Sequence, residues 1–199
     1  MTHTASRRIV ALLAALAALA FMEAAAAQGA SAPKAAASGA ALARGDIAFL
    51  RNAAQGGSAE VQASKVAVDK AVNTQVKGFA QQMVDDHTKA NETLKALAAS
   101  KGVTLPAEPS LAQKGKLELL SSSDGASFDR RYASTWGVGA HRDTVRLFQK
   151  AATSAADPDI KAFANKTLPT LQHHLQMANE LKVVASKEGN AKALHDKKQ

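Results

Sequence analysis

Two stretches of this chain repeat one another at a fixed distance, and that repeat limits the fold more than any single motif does. Asn73-Thr-Gln-Val76-Lys77-Gly-Phe79-Ala80 matches Asp157-Pro-Asp-Ile160-Lys161-Ala-Phe163-Ala164 at an offset of 84 residues. Further along, His87 matches His174 at 87, and Ala90-Asn91-Glu92 matches Ala178-Asn179-Glu180 at 88. Drifts of three and four residues are each about one helical turn, so the matched side chains stay on one face. The pattern reads as two diverged copies of a helical hairpin.

Helical periodicity fills in the rest. Asp46 is placed to cap a first helix running to about Ala71, with Phe49, Ala53, Gly56, Glu60, Ala63 and Ala67 on one stripe. Asn73 caps a second, whose stripe is Val76, Ala80, Met83, His87, Asn91 and Leu94, and Gly102 stops it. Residues 102–126 hold Pro106, Pro109, a short amphipathic piece from Ser110 to Leu120 and a Ser/Asp/Gly turn, a long crossover. A third helix follows to about Ala155, with Val138, His141, Val145, Phe148 and Ala152 in register. Asp157-Pro158 opens a fourth, with Ile160, Phe163, Thr167, Leu171, His174, Ala178 and Leu181 inward. Two helical hairpins joined by a long crossover make an all-α, ferritin-like four-helix bundle. Composition agrees: at 4% aromatic residues a sandwich or barrel is disfavoured, and without cysteine there is no disulfide, thiolate ligand or thiol nucleophile.

The first residues belong to a different category. Arg7 and Arg8 precede an apolar run from Ile9 to Met22 and the small residues Ala24 to Ala27, the layout of a secretory signal peptide cleaved after Ala27. The run falls short of the roughly 20 residues a spanning helix needs. Residues 28–45, rich in Ala, Ser and Gly, read as a flexible linker, 46–185 as the bundle and 186–199 as a basic polar tail. The full chain carries a net charge of +8, and loss of Arg7, Arg8 and Glu23 leaves +7. For an exported protein that charge points away from nucleic acid and toward weak association with anionic envelope components.

Glu60, His87, His141 and His174 occupy the inward stripes, one on each helix. Counted from the turn near residue 72, Glu60 and His87 lie about 19 and 22 Å along their helices, and His141 and His174 lie about 23 and 26 Å from the turn near 156. All four therefore fall near mid-bundle. One carboxylate and three imidazoles suit a single transition-metal ion, Zn in a closed tetrahedral site or Fe, Cu or Mn with water completing the shell. The same residues also make a buried polar layer without metal, the histidines bonding to Glu60, Asn91 and each other. A di-iron centre is not supported, because the Glu-x-x-His pairs it uses are absent: Val84 and Leu171 stand three residues before His87 and His174.

The neighbouring residues have plainer readings. Asp86 is taken as solvated, with an outer acceptor role as the alternative, and His173 and His195 as exposed. Tyr132 and Trp136 are packing residues. Pro169 removes a backbone bond and is expected to kink the fourth helix, while Gly137 and Gly139 mark a close approach or a local bulge beside His141. No Gly-x-Ser-x-Gly elbow is present, so nucleophilic hydrolysis has no basis.

The run from Phe79 to Asn91, the segment Phe128-Asp129-Arg130-Arg131-Tyr132 and the segment Thr167-Leu168-Pro169-Thr170-Leu171-Gln172-His173-His174-Leu175 resemble a bacterial family of exported ferritin-like four-helix proteins, catalogued as a domain of unknown function. The resemblance covers about residues 46–185. It implies a helical bundle in the periplasm or envelope, with His87, Tyr132, Pro169 and His174 on the family pattern, and no established reaction; the Gly137/Gly139 pair departs from that pattern. Two functions follow from these readings: metal binding or handling at the Glu60, His87, His141, His174 cluster, or a non-enzymatic envelope-interaction or stress-protection role in which the cluster is structural. The leader makes its own prediction: intact-mass measurement of the exported protein finds a chain that begins at Gln28, and a mass retaining residues 1–27 contradicts cleavage.

Overall fold

The computed structural model describes residues 41–196, with side chains described through Lys187. The signal peptide, most of the linker and the His195 side chain lie outside the described residues. Helices α1 (Arg44–Lys70) and α2 (Thr74–Ser100) form the first hairpin. The crossover carries a short α3 (Leu111–Ser121). The second hairpin begins with α4 (Gly125–Arg131), continues through a π-helical segment (Tyr132–Ala140) into α5 (His141–Ser154), and returns as α6 (Pro158–Asp196). No strand occurs among the described residues. The all-α bundle of two hairpins and a long crossover is thus the observed architecture, and α6 carries the backbone helically into the stretch read as a polar tail.

Local chemistry explains most of the boundaries. Asn73 Oδ1 accepts from the backbone N–H groups of Gln75 (2.7 Å) and Val76 (3.0 Å), and Asp157 Oδ1 does the same for Asp159 (2.9 Å) and Ile160 (3.1 Å). Gly102 ends α2 at φ +67°, where the N–H of Val103 reaches the carbonyl of Ala98 at 2.9 Å and that of Gly102 reaches Ala99 at 3.0 Å. Ser110 and Gln113 cap α3 reciprocally. Pro169 sits inside α6 without ending it.

Asp46 does something other than cap its own helix. It lies within the first turn of α1, buried, and its carboxylate accepts from the N–H groups of Ala156 (3.2 Å) and Asp157 (2.8 Å) in the turn between α5 and α6. Asp129 of α4 mirrors it, accepting from Val72 (3.2 Å) and Asn73 (2.9 Å) in the turn between α1 and α2. Each hairpin thus clamps the other's turn. The expectation of an Asp46 cap failed because its nearest donors come from a segment over a hundred residues away, not from its own first turn.

The core has two parts. One apolar cluster joins Ala63, Ala67, Val76, Phe79, Met83, Phe128, Tyr132 and Trp136 toward the α1–α2 turn. The other joins Phe49, Leu50, Leu94, Val145, Phe148, Ile160 and Leu171 toward the α5–α6 turn. Phe49 and Phe148 meet edge to face at 5.0 Å. Between the clusters lie Glu60, His87, His141 and His174, all buried.

Removing a clamp leaves two turn N–H groups short of an acceptor. Asp129→Ala and Asp46→Ala are each expected to cost about 2–4 kcal/mol in urea unfolding, and a loss below about 1 kcal/mol for both would show that the turns hold without them.

Candidate metal centre

Three imidazoles form a near-equilateral triangle at the middle of the bundle. Their ring centroids are 5.3 Å apart for His87 and His141, and 5.5 Å for each of the other two pairs. One ring nitrogen from each lies within 4.8 Å of the others. His87 Nε2 and His141 Nε2 are 3.3 Å apart, close to the roughly 3.3 Å that separates two nitrogens bound at tetrahedral angles to one ion with bonds of about 2.0–2.1 Å.

Each ring is held from behind. His87 Nδ1 faces Glu60 Oε2 at 3.0 Å, an ion-pair contact. His141 Nδ1 meets the Trp136 carbonyl at 3.1 Å. His174 Nε2 meets Asp86 Oδ2 at 3.0 Å, while its Nδ1 is buried without a partner. An imidazole donates to a carboxylate or carbonyl from the nitrogen that faces it, so these acceptors assign N–H to the outer nitrogens. The inner nitrogens are then His87 Nε2, His141 Nε2 and His174 Nδ1.

The π-helical segment supplies one of those acceptors. Its wider turn sets Trp136 five residues before His141, where the Trp136 carbonyl receives the imidazole. Gly137 lies in the same segment, and a Cβ there would come within 3.3 Å of the Ala178 Cβ on α6. The glycine pair therefore marks both a local bulge and a close approach.

Glu60 is the charge that organises the layer. Burial pushes its carboxyl up, but His87 and His141, with hydrogen bonds from His87 and Thr144, outweigh this and bring it down to about 2. Thr144 Oγ1 donates to Oε1 at 3.4 Å. For His87, burial lowers the pKa, yet the Glu60 charge and hydrogen bond and the Asp86 charge raise it above the ordinary value. His174 moves the other way, down to about 4, through burial and repulsion from His87 and His141, with Asp86 opposing. The metal-free layer is then coherent: His87 as imidazolium donates from Nδ1 toward Glu60 and from Nε2 to His141 Nε2.

The structure brings together all four residues singled out from sequence, but in two ranks. The three histidines converge, whereas Glu60 stands behind His87. Asp86 was read as solvated; it is instead the acceptor behind His174, half-buried on α2. His173 is exposed as expected. Asp86 lay within reach of sequence reasoning, one residue before His87, but helical spacing could not show that it points across to α6. Asn91 packs elsewhere, against Gly57, where a Cβ would lie 2.0 Å from its Oδ1.

With fold and site in hand, relatives can be compared. The sequence profile of the family described as domain of unknown function DUF4142 matches residues 30–181. The chain belongs to that family. No curated protein matches it. A crystal structure of a DUF305 fragment from Deinococcus radiodurans superposes with a TM-score of 0.62 at 12% identity, covering 73% of this chain and 98% of that one. A DUF305 protein from Streptomyces coelicolor, provisionally described as secreted, gives 0.61 at 13% identity, covering 71% and 92%. The DUF4142 chain thus shares its fold with DUF305 proteins, and the family resemblance read from sequence is borne out. No helix among the described residues is long and apolar enough to cross a membrane.

The opposed shifts in the triangle are measurable in the metal-free DUF4142 chain. At pH 5.5, nitrogen-15 NMR is expected to find His174 neutral and His87 doubly protonated. His174, with its pKa depressed, contributes stability that is full above 6.5 and lost as pH falls toward about 4, and Glu60 contributes stability lost below 4.5 toward about 2. His174 titrating at or above 6.5 would contradict this arrangement.

Proposed function

We propose that this protein binds one transition-metal ion through His87 Nε2, His141 Nε2 and His174 Nδ1, and that Glu60 acts behind His87 rather than as a fourth ligand. The observation that carries the reading is the pairing of every outer nitrogen with its own acceptor: the Glu60 carboxylate, the Trp136 carbonyl and the Asp86 carboxylate. Metal-binding histidines are oriented in this way, and loss of such acceptors typically costs 10–100-fold in affinity. The buried Nδ1 of His174 has no hydrogen-bond partner and so has its lone pair available to an ion.

Three imidazole ligands, of which His87 and His141 already stand at tetrahedral spacing and His174 closes in from within 4.8 Å, leave a fourth position for water or a small ligand, the open arrangement of reactive zinc or copper sites rather than the closed one of structural zinc. Binding must displace the His87 proton that faces His141, so affinity falls as pH falls. The leader at residues 1–27 and the description of the Streptomyces neighbour as secreted support export of the protein, to the periplasm or the outer membrane. The net charge of +7 left after loss of the leader supports a weak association there with anionic envelope components.

Elemental analysis tests the reading directly. Untagged protein exposed in turn to Zn, Fe, Mn and Cu is expected to retain close to one ion per chain for at least one of them and to melt at a higher temperature with it. His87→Ala/His174→Ala is expected to retain none. Absence of stoichiometric metal under every condition would reject the reading and leave the layer as a structural core.

A further inference from the structure

The triangle is sealed. His87, His141 and His174 are 4%, 2% and 1% exposed, so an ion has to cross protein to reach them. A cavity of about 80 Å³ reaches Glu60 and Trp136 but none of the three rings, and two other approaches lead to the rings themselves.

The first is a groove of about 670 Å³ between α1, α2 and the crossover. Beneath it, a cavity of about 20 Å³ touches Glu60 and His87, and Asn91 and Leu94 line both. The Asn91 amide, seated on the recess left by Gly57, stands between the two spaces. Yet Lys65 and Lys95 border this groove, and ammonium groups repel an approaching cation. One carboxylate, Glu92, lines it with these two lysines, so the groove keeps a net positive charge, and the rest of its lining mixes Val61, Leu105 and Pro106 with Ser58, Gln62 and Thr88.

The second is the acceptor behind His174. Of the three outer acceptors, Glu60 is 3% exposed and the Trp136 residue 4%, whereas the Asp86 side chain is 33% exposed. Its Oδ2 is 3.0 Å from His174 Nε2, and the other nitrogen of that same ring is the unpartnered Nδ1 inside the bundle. One imidazole therefore has a solvent-facing carboxylate on one side and the other two imidazoles on the other. Asp85, the next carboxylate along α2, is exposed and accepts from Gln81 rather than from His174.

We propose that a metal cation reaches the centre through Asp86, with His174 as the relay between the surface and the triangle. The proposal rests on the metal-binding reading above and adds the route. The cation is first held by the Asp86 carboxylate; the hydrogen bond from His174 Nε2–H to Oδ2 opens, the His174 side chain swings aside, and the cation passes to its Nδ1 and so to His87 Nε2 and His141 Nε2. His174 keeps its Nε2 proton throughout, and the proton that leaves to solvent is the one His87 Nε2 had directed at His141 Nε2. Asp86 thus has two roles that separate kinetically: its oxygen orients His174, and its charge receives the ion.

Stopped-flow uptake of free Co²⁺ by the full chain, followed by d–d absorption at two salt concentrations, tests the route. Asp86→Asn keeps an oxygen to accept from His174 and removes only the charge. It is expected to slow uptake about tenfold or more and to flatten the salt dependence, with the Co²⁺ spectrum unchanged. Asp85→Asn, the same charge change without contact to His174, and Asn91→Ala, which opens the groove, are expected to keep a rate close to wild type. The route is overturned if Asp86→Asn takes up Co²⁺ at the wild-type rate, if both Asp variants slow it equally, or if Asn91→Ala accelerates it. Failure of the wild-type chain to bind Co²⁺ at equilibrium would instead reject the metal site itself.

Discussion

The structure turns on one buried carboxylate. Glu60 sits in a bundle whose lining is largely alanine, and taking a carboxylate out of water costs several kcal/mol unless its charge is met. His87 meets it at 3.0 Å and Thr144 at 3.4 Å. Those partners reach Glu60 because the helices come close together: Ala59 and Ala63 are fully buried on α1, and Gly57 lies bare one turn before Glu60. The two apolar clusters then exclude water from either side, which strengthens every charge interaction within the layer. Charging His87 follows from Glu60, while His174 is depressed first by its own burial and then by repulsion from His87.

Sequence reading reached the parts of this that local physics decides. Helix caps at Asn73 and Asp157 depend on donors two and three residues away, and stripes depend on a period of 3.6, so both were legible. The mid-bundle level of the four polar residues followed from rise per residue. What failed depends on contacts across the fold. Asp46 has its donors at Ala156 and Asp157, and Asp86 has its donor at His174, 88 positions on. The division of Glu60 from the three converging histidines is a matter of which ring edge faces which neighbour, a distinction of a few Å that a helical stripe cannot resolve. Gly137 and Gly139 announced an irregular turn, but only the backbone shows that it is π-helical and that it places the Trp136 carbonyl on His141.

The repeat explains the clamps as well. Ala156 and Asp157 stand 84 residues after Val72 and Asn73, and Asp129 stands 83 after Asp46, so the two clamps are one interaction used twice. Related positions of the two hairpins meet across the middle of the bundle in the same way. His87 and His174 are repeat partners, and their rings lie 5.5 Å apart. Glu60 and Thr144 are also 84 apart, and they share a hydrogen bond.

That last pair decides what the centre can hold. A second carboxylate in place of Thr144 would put two negative charges within a few Å in a dry interior, an arrangement tolerated only when one is protonated or when cations bridge them. Such paired carboxylates are what two-metal bundle centres use. Thr144 gives Glu60 a neutral hydroxyl instead, and the position 84 residues before His141 is Gly57, whose missing side chain is replaced by the Asn91 amide. The two hairpins therefore contribute unequal halves: one acid and one imidazole from the first, two imidazoles from the second. The departure from symmetry at 60/144 and 57/141 is what gives the layer a single carboxylate and three imidazoles on a frame whose turns remain symmetric.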